Sequence, residues 1–168
     1  LSSSDAKVAR EEDQRIEGVA VKPLRLVRDA RGWLVEVLRA DDPLFRRFGQ
    51  AYVTVARPGV VKAWHCHRVQ TDYVAVVAGE ARLALYDGRD DSPTRGNVVD
   101  LVAGEENPVL VVIPPGVYHG FRSTRDAPTY VLNIPTELYD YDEPDELRRP
   151  YDDPAIPYDW GEADAASG

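Results

Sequence analysis

Apolar and polar residues alternate through most of the chain: VKPLRLV (21–27), WLVEVLR (33–39), AYVTVAR (51–57), YVAVVAG (73–79), EARLALYD (80–87), VVDLVA (98–103), PVLVVI (108–113) and TYVLNI (129–134). A period of two is that of β-strands, whose successive side chains point to opposite faces. Turn signals fall between these runs, at 29–32, Pro58-Gly59, Asp87-Gly88, Gly104, Pro114-Pro115-Gly116 and 126–128, too closely spaced for long helices. The pattern predicts an all-β sandwich or barrel. In DDPLFRRFG (41–49) an aspartate cap and an early proline predict a short helix of about two turns, stopped by Gly49. From Thr136 the chain reads TELYDYDEPDELRRPYDDPAIPYDW. It is too rich in Pro, Asp and Tyr to alternate, and is expected to lie over a surface with its tyrosines docked.

These signals divide the chain into a charged, partly flexible lead-in over 1–17, one domain over 18–160 and a small, polar, flexible tail over 161–168. At 168 residues there is core for one domain and not two. No apolar run approaches the roughly 20 residues of a membrane span, and the N-terminus lacks the basic start and apolar stretch of a secretory signal, so no membrane partner and a cytoplasmic home are expected. The net charge of −9 excludes nucleic acid as a partner, because phosphate backbones require a basic surface. Cys66 is the single cysteine, which rules out an intrachain disulfide or a cysteine-rich zinc cluster.

The chain has three histidines, and VKAWHCH (61–67) holds two of them one residue apart. On a strand His65 and His67 face one side while Trp64 and Cys66 face the other, so two imidazoles share a cavity wall and Cys66 is inert core. Asp72 follows, and His119 comes just after the tight turn of PPGVYHGF (114–121). The spacing Gly59, His65, His67, Asp72, Gly79 resembles the first motif of the cupins, whose carboxylate is usually glutamate, and PPGVYHGF resembles the second. The resemblance implies a jelly-roll β-barrel (double-stranded β-helix) with His65, His67, Asp72 and His119 around one pocket. That donor set suits iron, nickel, manganese or zinc alike.

A closer resemblance is to the nucleotide-sugar epimerases of the dTDP-4-dehydrorhamnose 3,5-epimerase type, a cupin family that works without metal. It is carried by DARGWLVEV (29–37), FGQAYVT (48–54), VKAWHCH (61–67), GEARLALYDGRDDSPTRG (79–96), VIPPGVYHGF (112–121) and YDDPAIPYDW (151–160), in order and spacing, over nearly all of residues 20–160. It implies an isomerase with no cofactor, acting on a nucleotide-sugar substrate. His65 is then the base that removes a proton beside a ketone, a task suited to imidazole. Arg31, Trp33 and Glu36 are implied to hold the nucleotide from a swapped N-terminal strand, and hence a homodimer is implied. Gln50 and Lys62 match substrate-site positions, and Tyr139 a second site tyrosine. His67 and His119 share the substrate cavity.

The chain also departs from that family, which usually carries glutamine at His67, lysine at Asp72 and a catalytic tyrosine at Asn133. The aspartate that partners the base lies beyond the match to Trp160, and GEADAASG holds no counterpart. These departures point to an epimerase scaffold with an altered, non-3,5-epimerase active site: His65 as base, Asp72 as orienter, and Tyr118 or Tyr139 as acid. Two alternatives stand beside it, a metal-dependent cupin using His65, His67, Asp72 and His119, and a non-catalytic sugar-nucleotide binding protein. Arg89 and Arg95, beside acids at a hairpin tip, are read as solvent-facing.

Overall fold

The computed structural model describes residues 15–164. Residues 1–14 of the lead-in and residues 165–168 of the tail lie outside them. The described chain is all-β, with strands β1 (Ala20–Pro23), β2 (Leu26–Asp29), β3 (Gly32–Val35), β4 (Tyr52–Ala56), β5 (Val61–Cys66), β6 (Asp72–Ala78), β7 (Glu80–Asp87), β8 (Val98–Gly104), β9 (Val109–Ile113), β10 (Val117–Ser123), β11 (Thr129–Asn133) and β12 (Leu147–Arg148). Two five-stranded sheets, ordered β1-β9-β6-β11-β4 and β12-β5-β10-β7-β8, form the jelly roll, and β2-β3 make a separate hairpin.

The inward residues of both sheets, among them Val74, Val76, Leu83, Leu85, Val109, Val111, Ile113 and Val131, form the central core. Ile16, just ahead of β1, packs into it as well. Each sheet is also covered on its outside. Tyr73, Leu110 and Val112 of the first sheet pack under Leu24, Val37, Leu38 and Leu44. Val61, Ala63, Trp64 and Ala84 of the second pack under Ile156, Trp160, Tyr151 and Tyr158. The proline- and tyrosine-rich segment thus lies over a sheet, as its composition implied. Tyr151 and Tyr158 are docked, whereas Tyr139 and Tyr141 are exposed. Among the described residues no helix is long and apolar enough to cross a membrane.

Three local expectations are corrected. The run 21–27 is two strands, because Leu24 donates to the Pro108 carbonyl (2.8 Å) and packs on the first sheet while β2 leaves it. The run 33–39 stays extended only to Val35, since Val37 and Leu38 turn to cover that sheet. No helix forms over 41–49. Asp42 does act as a cap, taking Leu44 N–H at its carboxylate (2.9 Å) and Phe45 N–H at its carbonyl (2.9 Å). Beyond that single turn the N–H groups are claimed from elsewhere: Arg46 donates to the Tyr73 hydroxyl (2.8 Å) and Gly49 to the Pro135 carbonyl (2.9 Å). Tertiary acceptors outbid the helix ladder.

Arg89 is a further correction. It lies against Asp87, which is fully buried, with Nε and Nη2 2.8 and 2.9 Å from the carboxylate oxygens. Ser92 and Thr94 donate to the same carboxylate at 2.5 and 2.7 Å. Burial opposes ionisation of Asp87, yet these donors hold its carboxyl far below the usual range. Arg95 pairs with exposed Asp90 (2.9 Å), in line with a solvent-facing reading.

Candidate active site

Between the sheets, at one end, a cavity of ≈660 Å³ opens. Its floor is apolar (Val74, Leu83, Leu85, Val111, Ile113, Val131) and its walls are polar (His65, His67, His119, Lys62, Thr54, Gln70). Apolar depth with a few convergent polar groups is the usual make-up of a small-molecule site. His65 on β5 faces His119 on β10, and the register between these strands slips by one residue before the Phe121–Lys62 pair. This bulge lets Lys62 and His65, three positions apart, both reach the cavity, as strict alternation would not allow. Gly120 sits opposite the bulge, where a Cβ would lie 2.2 Å from that of Ala63.

His65 has a carboxylate partner that sequence reasoning missed. Its Nδ1 is 2.9 Å from Glu146 Oε1, and β12, immediately after Glu146, pairs with β5 so that Leu147 opposes Cys66 and Arg148 opposes His65. A carboxylate on Nδ1 fixes that nitrogen as the N–H donor and leaves Nε2 with a free lone pair. Burial lowers the pKa of His65 and outweighs the opposing pull of Glu146. Glu146 is also lowered, since its bonds to Arg148 (3.0 Å) and His65 outweigh burial. The pair is therefore a neutral imidazole beside a carboxylate near neutral pH. The adjacent Asp145 accepts N–H bonds from Arg68, Val69 and Gln70 at 2.8, 2.9 and 3.2 Å, stapling the loop after β5 to the same segment.

His67 and His119 converge on Asp72, which is 1% exposed. The Nε2 atoms stand 3.4 and 3.6 Å from Asp72 Oδ2. Each ring turns Nδ1 to a backbone carbonyl, His67 to Asp145 and His119 to Val117 (3.2 Å). Asp72 Oδ1 accepts from Gln70 (2.8 Å) and Asn133 (2.9 Å). Burial, against the attraction of Asp72, holds the His119 pKa down to about 4. Asp72 thus contacts His67 and His119, while the carboxylate on His65 is Glu146.

Asn133 Nδ2 also donates to the Tyr52 hydroxyl (2.9 Å), and Asn133 and Tyr52 are register partners on β11 and β4. Tyr52, absent from the sequence reading, lines the cavity, and burial raises its pKa. Asn133 Oδ1 is buried without a partner among the described residues. Gln50 and Tyr139 line the mouth, where Gln50 Oε1 accepts Tyr139 N–H (3.3 Å), and Tyr139 and Tyr141 stack edge to face at 5.0 Å. Tyr118 lies elsewhere, against Tyr86 and under the Arg149 guanidinium. Cys66 is turned away and burial pushes its thiol up to about 11. Arg31 and Trp33 line a separate hollow on the β2-β3 hairpin, Arg31 bound to Asp29, and Glu36 pairs with Arg39. In the single chain none of these three reaches the cavity.

Fold and site together define a cupin with a histidine-lined cavity between its sheets. The family model for dTDP-4-dehydrorhamnose 3,5-epimerase matches residues 13–167. A spore coat polysaccharide biosynthesis protein of Bacillus subtilis is 42% identical over 145 residues, 86% of this chain and 96% of the relative. A probable low-salt glycan biosynthesis epimerase of Haloferax volcanii is 43% identical over 152 residues, 86% of this chain and 94% of its own. The crystal structure of a dTDP sugar isomerase from Desulfovibrio desulfuricans superposes with a TM-score of 0.83 at 37% identity, covering 89% of this chain and 94% of the other. This chain belongs to the dTDP-4-dehydrorhamnose 3,5-epimerase family and is an isomerase.

Proposed function

We propose that the protein epimerises or isomerises a dTDP-4-keto-6-deoxyhexose or a related nucleotide sugar by proton abstraction next to the ketone, with a site altered from that of a 3,5-epimerase. The observation that carries this reading is the His65–Glu146 pair at the wall of a sugar-sized cavity (2.9 Å). His65 Nε2 takes the proton from the carbon beside the carbonyl, and the C–H electron pair moves onto the keto oxygen as an enolate. The Tyr52 hydroxyl returns a proton to that carbon, and the phenolate and imidazolium re-equilibrate through solvent. His65 belongs to one large sheet and Tyr52 to the other, so base and acid approach the sugar from opposite faces, as inversion requires. The tyrosine that the family carries at position 133 is thereby replaced across the strand pair rather than lost.

Lys62, bonded to Thr54 (2.9 Å), supplies positive charge for the diphosphate, and Tyr139 with Tyr141 supplies an aromatic platform for the nucleobase at the mouth. Arg31, Trp33 and Glu36 act in a homodimer, where the β2-β3 hairpin completes the partner's sheet at the β4 edge. Exposed Val27, Trp33 and Leu34 on the hairpin, and Val53 on β4, support that exchange. A cytoplasmic setting accords with the unpaired, buried Cys66 thiol. Incubation with dTDP-4-keto-6-deoxyglucose in heavy water tests the reaction. Deuterium at one carbon beside the ketone is expected, and no incorporation at any carbon would refute it.

A further inference from the structure

Among the described residues, the cavity lining carries two permanent cations, Lys62 and Arg148. Lys62 donates to Thr54 (2.9 Å). Arg148 is placed by register: β12 is the edge strand of its sheet, and Arg148 opposes His65 across the β12-β5 pair. Directly paired residues put their side chains on one face, so Arg148 lines the cavity beside the base, at its exposed rim. There Nη2 donates to Glu146 Oε2 (3.0 Å), while Glu146 Oε1 faces His65 Nδ1 (2.9 Å). One carboxylate is thus shared between a guanidinium and the imidazole. The Arg148 side chain is 68% exposed, and a solvated ion pair of this kind is weak enough to give way to a stronger anion. A guanidinium offers five N–H donors in a planar fork that matches phosphate, and Glu146 takes the one side-chain hydrogen bond that Arg148 makes among the described residues.

We propose that Arg148 is a positioning residue that gates the His65–Glu146 pair: the diphosphate of a bound nucleotide sugar draws the guanidinium off Glu146, and the freed carboxylate then serves His65 alone. The inference rests on the reading of the cavity as a keto-sugar site. In a hexose 1-diphosphate the carbons beside a 4-ketone, C3 and C5, each lie two bonds from C1, which carries the diphosphate. A sugar that offers either carbon to His65 therefore brings its diphosphate within reach of a long side chain on the neighbouring strand. His65 becomes an imidazolium as it takes the proton. Glu146 stabilises that charge, and a guanidinium on its other oxygen opposes it. Beside the effect of burial, Glu146 raises the His65 pKa and the charge of Arg148 lowers it, a balance that the diphosphate tips toward Glu146. Binding energy from a part of the substrate remote from the reacting carbon thereby strengthens the base. A keto sugar without the diphosphate leaves Arg148 in place and reacts slowly, so selectivity for nucleotide-linked sugar shows in kcat as well as in KM.

The test compares the wild type, Arg148→Gln and Arg148→Lys, all as the full chain, on two substrates in heavy water: dTDP-4-keto-6-deoxyglucose and the methyl glycoside of the same keto sugar, which has no phosphate. Exchange in His65→Asn is the blank. Arg148→Gln should raise KM for the nucleotide sugar about tenfold or more, the usual worth of a hydrogen bond between charged groups, and should speed exchange of the methyl glycoside. The opposite signs separate a gate from a residue that only holds β12 in place, whose loss slows both. Arg148→Lys, which keeps the charge without the fork, should return methyl glycoside exchange toward the wild-type rate. Where the wild type exchanges the nucleotide sugar, an unchanged KM or no gain in methyl glycoside exchange in Arg148→Gln overturns the gate. A wild type that does not exchange the nucleotide sugar defeats the reaction assignment, and the gate is then judged by titration with dTDP, read by the Nδ1–H proton resonance of His65. The nucleotide should shift that resonance in the wild type and not in Arg148→Gln, and bind the variant about tenfold or more weakly. Equal shifts or equal affinities overturn the gate.

Discussion

At the scale of single residues the proposed chemistry turns on which nitrogen of His65 is free. Because Glu146 holds Nδ1 and burial lowers the pKa, the imidazole is deprotonated at neutral pH. Turnover should be complete above the ordinary imidazole value of about 6.5 and be lost as pH falls through a folded-state value below it. Glu146 raises that value against burial, so Glu146→Gln should move the acid limb of kcat further down in pH. It should also lower kcat about 10–100-fold with KM little changed, short of the roughly 10²–10⁴-fold expected for loss of the base in His65→Asn. Tyr52→Phe makes a different cut. Deuterium should still enter and leave at the base side, while formation of the inverted sugar falls by about 10²-fold or more, as seen by NMR of the product. The histidines were legible because alternation and motif spacing are local. Glu146 was not, since it reaches His65 from 81 positions away, just ahead of a strand of two residues. Tyr52 was hidden for a related reason: its value depends on opposing Asn133, and strand register is not written in either segment alone.

Among the elements, the strands flanked by turn residues were readable, and the failures share one cause. Residues 24–25, 37–38 and 41–49 carry local patterns of strand or helix, but Leu24, Val37, Leu38 and Leu44 are used to cover the outside of the first sheet. Periodicity reports which residues are buried, not what buries them. The β7–β8 connection shows the same limit, since its charged sequence suggested solvent and the structure makes it a hub around buried Asp87. Asp87→Asn leaves that hub without its charge. We expect a loss of about 2–4 kcal/mol in urea unfolding, with cavity chemistry intact. The sign with pH follows from a depressed carboxyl: the stabilisation is whole above the ordinary Asp range and disappears as pH falls toward the lowered folded value.

On the scale of the whole molecule, the hairpin and the β4 edge leave apolar surface open in the single chain, with Leu34 61% and Val53 53% exposed. Sedimentation at micromolar concentration should give a dimer, and Leu34→Asp should shift it to monomer with weakened nucleotide binding, because Arg31 and Trp33 share that hairpin. A monomeric wild type would defeat this arrangement. The C-terminal wrap carries a different lesson. Trp64 faces outward, exchanges backbone bonds with Arg149 (2.9 and 3.1 Å) and packs against Trp160, while its inward neighbour His65 receives Glu146 from the same segment. Both large sheets except β12 are finished by Asn133. As the chain emerges from the ribosome, both large sheets but for β12 have their material before the carboxylate that bonds His65 has been made. A nascent or clipped chain that ends before Glu146 therefore carries His65 without the carboxylate that fixes its free nitrogen, and the proposed chemistry is expected to reach full rate only once that segment has been made.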